Sequence, residues 1–243
     1  MNKTNFFVFI ICIFSVFFTN AIETKAMNTG FSTEELSEEM QNTFMSNINI
    51  SLLTEEPTKR GVMCFDVNEQ GMIAICKKGI DGEEVCIYTS EGKFLYGYTF
   101  DCSQSFGVEW DNEYINIYFV RSDVIVSLDS NGNILDIKEV QNTRDNNTHS
   151  NAILHSNTRV VGDTTYIIRN NMGIFNWIAF SYSQIITIDA EGIEHVVYDV
   201  SSTQLFKTIA IIVIACVFVA IAVTVIIRQS IRRNSEKKHE DVK

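Results

Sequence analysis

The sequence predicts a mainly β protein, in which about three antiparallel four-stranded repeats lie between one N-terminal amphipathic helix and one C-terminal transmembrane helix. Three observations predict it. From about Asn47 onward, β-branched and aromatic runs alternate with short polar turns, the pattern of strands rather than helices. A turn with the same glycine placement recurs at Gly92, Gly132 and Gly192. Near the end of the chain, Thr208 to Ile227 form twenty consecutive residues without a charge.

Residues 1–21 read as an export signal. Lys3 precedes an apolar run from Phe6 to Phe18, broken only by Ser15. A helix of that length reaches about 20 Å, too short for a hydrocarbon core of about 30 Å. Thr19 and Ala21 fit the positions before a cleavage site, and Thr24 with Ala26 offers a second one. An uncleaved anchor, giving two spans, is the alternative. In the segment 22–46, an amphipathic helix is expected from about Thr33 to Met45. Ser32 would cap it, Glu35 would complete a capping box, and Phe31 with Leu36 would form a hydrophobic staple. Leu36, Met40 and Phe44 then share a face that docks on the following domain or meets a partner.

The β-repeat domain is expected over 47–200. Tyr88 to Phe100, Leu128 to Val140 and Ile188 to Val200 are three copies of one hairpin, each glycine sitting where a tight turn needs positive φ. Two further strand candidates precede each copy, and four strands in about 40 residues is the size of a propeller blade. This pattern of strand, acidic turn with glycine, and strand resembles the blades of bacterial NHL-type β-propellers from about Val62 to Val200. The resemblance implies a propeller-like array, but three blades fall short of the four to eight that close a ring. Open edges, or copies that cover them, would follow. The wider layout of signal, β domain, single span and basic tail resembles a family of bacterial single-pass surface proteins. Two insertions lengthen the third unit: Gln141 to Asn157, polar and expected as a mobile loop, and Asn170 to Ser183, rich in aromatics.

Residues 201–207 would link the domain to a transmembrane helix over 208–227, followed by a basic tail at 228–243. Thirteen of the twenty span residues are Ile, Val or Phe, favouring the membrane by roughly 4 to 8 kcal/mol. Six basic and three acidic residues follow the span, whereas Lys207 alone precedes it closely. The basic side faces the cytoplasm. The expected localisation is the cell membrane, single-pass, with the N-terminal domain extracytoplasmic and the C-terminal tail cytoplasmic. Ile22 to Lys207 carry 12 basic and 27 acidic residues, a balance of −15 that argues against a nucleic-acid partner.

Few residues suggest chemistry. Cys64, Cys76, Cys86 and Cys102 lie within one exported stretch and could form disulfides of any connectivity or remain buried thiols. They lack CxxC spacing and a nearby His, which argues against zinc. No nucleophile elbow, zincin, Walker or dinucleotide motif occurs, so no cofactor is expected. Asp129, Asn131 and Asn133 read as a β-turn, since Val140 stands where a calcium loop needs Glu. His149 and His155 belong to the polar loop, and sequons occur at Asn49 and Asn146.

The leading functional reading is a non-catalytic cell-surface protein whose exported domain binds a protein or envelope component. Phe175, Trp177, Phe180 and Tyr182 are its candidate interaction residues, set at the headgroup layer or against a partner or second copy. Packing of that stretch in the β core is the competing structural reading. The alternatives are an accessory subunit of a membrane complex, using Cys216 and Ala220 as a small-residue helix contact, and an envelope hydrolase with paired carboxylates among Glu109, Asp111 and Asp123.

Overall fold

The computed structural model describes residues 27–80 and 82–240, with side chains through Gln229. The expected export signal lies outside the described residues. Strand β1 (Thr33–Glu35), helix α1 (Glu38–Ile48) and strand β2 (Ser51–Leu53) come first. A four-strand meander follows: β3 (Val62–Val67), β4 (Ile73–Lys78), β5 (Glu83–Tyr88) and β6 (Phe94–Phe100). The second meander is β7 (Phe106–Asp111), β8 (Tyr114–Phe119), β9 (Val124–Leu128) and β10 (Ile134–Val140). Helix α2 (Arg144–His155) leads to the third: β11 (Thr158–Val161), β12 (Thr164–Arg169), β13 (Gln184–Ile188) and β14 (Glu194–Asp199). A 3₁₀ helix (Gly173–Ile178) interrupts that meander, and helix α3 (Ser201–Glu240) follows β14.

The fold is mainly β: three antiparallel sheets that do not close into a ring. The N-terminal strands enlarge two of them. β2 pairs with β6 to give the order β2-β6-β5-β4-β3, and β1 pairs with β10 to give β1-β10-β9-β8-β7. The third sheet, β11-β12-β13-β14, receives no such strand. One core lies between the first and second sheets and includes Cys76, Ile87, Phe100, Phe106 and Phe119. The other lies between the first and third sheets and includes Phe65, Ile75, Tyr88, Ile185 and Tyr198. The first sheet is therefore the middle layer. Its strands β4 and β5 are covered on both faces, which is why IAIC and VCIY read as unbroken apolar runs rather than alternations.

The hairpin glycines take one role three times. Gly92, Gly132 and Gly192 have φ of 82°, 81° and 79°, a region that favours glycine. Each donates its N–H to the carbonyl three residues back, at Thr89, Asp129 and Asp189.

Three sequence expectations change. Thr33 to Glu35 form β1, and the helix begins at Glu38, capped by Ser37, whose Oγ accepts from Met40 N at 3.3 Å. The expected capping box never forms, because Ser32 N donates to Asn146 and Glu35 pairs with Lys138 of β10. The polar stretch after Gln141 is helical from Arg144 to His155 rather than a loop. Thr143 caps it, and Ile153 reaches a small core with Phe31, Tyr118, Ile125 and Val140. Finally, Ser201 to Lys207 are the opening turns of α3 rather than a separate linker, and the helix continues to Glu240. Within α3, Ser201–Gln229 is long and apolar enough to cross a membrane.

Candidate functional site

The most distinctive surface lies where α3 leaves the third sheet. β12 ends at Arg169, and the chain must return to β13 at Gln184. Its exit and re-entry are pinned: Asn171 N donates to Ser183 Oγ at 2.8 Å, and Ser183 N donates to Asn170 Oδ1 at 3.0 Å. Met172 is buried beneath the excursion. Gly173, at φ 59°, then turns the chain outward into the 3₁₀ helix, which buries none of its residues. Ile174, Trp177 and Phe180 are 79%, 84% and 106% exposed. The 3₁₀ helix does not enter the β core.

The four candidate aromatics thus divide. Trp177 and Phe180 project into solvent, and Phe175 is half-buried. Tyr182 packs against the second core and exchanges backbone hydrogen bonds with Val62, both 2.8 Å. It fastens the excursion to β3 instead of presenting a surface. Beside that bridge, Gly61 allows a close approach, since a Cβ there would meet Ser181 Oγ at 2.0 Å and Gln204 Nε2 at 2.1 Å. Gln204 of α3 donates to Ser181 Oγ at 3.0 Å, joining the helix to the excursion. Tyr198 accepts from Arg60 N and donates to Arg60 O, at 2.9 and 2.7 Å, and holds the chain on the other side.

Two cavities open between these parts. One, of about 450 Å³, has Trp177, Ile178, Phe180, Ile211 and Ile212 on its walls. The other, of about 390 Å³, gathers Lys59, Arg60, Lys78 and Lys207. Phe180, Ser181, Gln204 and Lys207 line both. Lys207 stands out in the sequence as the flank of the apolar run, whereas Lys59, Arg60 and Lys78 do not. Their only local signal was two basic doublets, Lys59-Arg60 and Lys77-Lys78, in a domain where acidic residues outnumber basic ones.

The candidate carboxylates do not form one group. Glu109 accepts from Thr29 Oγ1 and meets His149 Nε2 at 2.8 Å, and Asp111 accepts from Asn28 N at 2.8 Å. Both hold the incoming N-terminal segment. Asp123 stands beside Val124, which pairs with Phe119, whereas Asp111 pairs with Tyr114 at the opposite end of β8. Asp123 instead accepts from Tyr118 Oη at 2.9 Å.

The five described cysteines are thiols. Cys64 and Cys76 face each other across β3 and β4 within the first core, while Cys86 points into the second. Cys102 is half-buried beyond β6. Burial pushes the Cys76 thiol well up, aided by Cys64, and raises Cys86 to about 12. Both behave as small apolar core residues rather than nucleophiles. A polar cavity of about 230 Å³ opens near Asp66, Asn68 and Trp110. Burial raises the Asp66 carboxyl despite its bonds from Trp110 N and Arg159 Nε, at 2.9 and 2.8 Å, which tie the three sheets together. No group of three or more His, Cys, Asp or Glu among the described residues could hold a metal ion. Comparison with protein-family models, with curated proteins and with solved structures finds no match to this chain.

Proposed function

We propose that this is a non-catalytic, single-pass surface protein of the cell membrane: α3 crosses the bilayer, the propeller-like β domain lies outside, and the basic tail lies in the cytoplasm. The domain binds its target, a protein or envelope component, at or close to the membrane surface. One observation carries the reading. Trp177 and Phe180 are fully displayed on a pinned excursion beside the first turns of an apolar helix, at the level where Trp favours a headgroup layer. A continuous helical junction supports it, because a domain joined this way stays close to the bilayer.

The hydrolase reading receives no such support, since Glu109 and Asp111 are occupied by the N-terminal segment. Protease shaving of intact cells carrying a tag at each end tests the topology. The C-terminal tag should stay protected, and its removal from outside would refute the orientation. Trp177→Ser with Phe180→Ser in the full chain tests the surface role. Both residues are exposed, so the unfolding midpoint should stay near wild type. A loss of several kcal/mol, as for buried aromatics, would return them to a packing role.

A further inference from the structure

The two cavities differ in chemistry but share a wall. The apolar one runs along Ile211 and Ile212 and would open into the acyl region if α3 spans a bilayer. The other collects four of the twelve basic residues of Ile22 to Lys207 and has no Asp or Glu on its lining. Some of that charge is already matched. Lys59 pairs with the exposed Glu56 at 3.4 Å, and Lys78 lies opposite Glu83 in the β4–β5 register. Arg60 and Lys207 form no ion pair among the described residues. Arg60 Nε is moreover buried without a hydrogen-bond acceptor. Gln204 Oε1, on the shared wall, is buried without a donor. An anionic phosphodiester that also carries a hydroxyl offers an acceptor to the first and a donor to the second.

We propose that the two cavities form one site for an anionic glycerophospholipid with a hydroxylated headgroup, of the phosphatidylglycerol kind. Its phosphodiester lies on Arg60 and Lys207, its headgroup hydroxyl donates to Gln204 Oε1, and one acyl chain follows Trp177, Phe180 and Ile211. Charge complementarity selects this occupant, because a choline headgroup would bring a quaternary ammonium cation among lysines and an arginine. The apolar wall continues directly into the apolar helix, so a lipid enters from the bilayer without leaving it. The site rests on the reading that α3 spans the membrane with the domain outside.

The test uses the full chain reconstituted in nanodiscs of mixed phosphatidylglycerol and phosphatidylcholine. Native mass spectrometry of the released protein should show phosphatidylglycerol adducts enriched about tenfold over phosphatidylcholine, the scale expected for one to two surface cations. Arg60→Gln with Lys207→Gln should remove most of the enrichment. Lys93→Gln with Arg121→Gln, which removes the same charge at exposed positions elsewhere, should leave it intact. In the same discs, bromine-labelled acyl chains should quench Trp177, with Trp177→Phe giving the Trp110 background. Quenching without enrichment, or equal losses in both double variants, refutes the lipid site while the membrane-face reading stands. Absence of quenching overturns that reading and the site with it.

Discussion

Asn146 shows how much one buried side chain can organise. Its Oδ1 accepts from Ser32 N at 2.8 Å, while its Nδ2 donates to Ser32 O at 2.9 Å and to Gln141 O at 2.7 Å. It therefore fixes the first turn of α2 to the strand that starts at Thr33. Asn146→Ala would leave buried backbone groups without partners, and urea unfolding of the full chain in detergent should show a loss of about 2 to 4 kcal/mol. An unchanged midpoint would mean that water replaces all three bonds. In the sequence, Asn146 is one of several asparagines in a polar stretch, with a sequon as its only mark. Its main partner lies 114 residues away, a relation that no local pattern encodes.

At the scale of elements, signals were readable where the residues themselves carry the period. The hairpins around Gly92, Gly132 and Gly192 were legible because positive φ and flanking apolar runs are local facts. The excursion after Asn170 was legible as an insertion, but not as a displayed 3₁₀ turn, because aromatic composition is the same for a core strand and a surface. Helix α2 was missed for a related reason. Its buried residues are only Asn146 and Ile153, so it shows too little apolar periodicity to be told from a loop. The start of α1 was misplaced because Ser32 and Glu35 satisfy a capping pattern while β10 offers their segment a strand partner. The junction with α3 permits a direct test of element geometry. Ile178 and Ile211 line one cavity, so cysteines placed at both, with Cys102 and Cys216 changed to Ser, should be joined by a short bifunctional maleimide. One alanine inserted after Lys207 would turn the rest of α3 by about 100° and abolish the product. A flexible linker would instead tolerate the insertion, and persistence of the crosslink would show that the helix is not continuous there.

The arrangement of the whole molecule can be read from what each hairpin glycine touches. A Cβ at Gly92 would lie 2.1 Å from Val197 O, so the turn of the first sheet abuts β14 of the third. A Cβ at Gly132 would lie 3.4 Å from Leu52 Cβ, so the turn of the second sheet abuts β2 of the first. Nothing lies within 4 Å of the equivalent position at Gly192. The contacts thus run from the second sheet to the first to the third and stop there. This is the opening that a count of three repeats anticipates, although the sequence does not say between which sheets it falls. A series of Gly→Ala changes should report it. All three positions carry the same positive φ, which costs an alanine roughly 1 kcal/mol. Gly92→Ala must also displace a backbone carbonyl, Gly132→Ala reaches Leu52 at ordinary van der Waals distance, and Gly192→Ala meets nothing. Unfolding measurements on the full chain should therefore show the largest loss at Gly92, with Gly132→Ala and Gly192→Ala both close to the backbone cost alone. Losses close to the backbone cost at all three, Gly92 included, would mean that the turns stand apart in solution. A loss at Gly192 well above the backbone cost, as large as that at Gly92, would mean that the opening is covered, and if that loss fell as the protein was diluted, the cover would be a second copy of this chain.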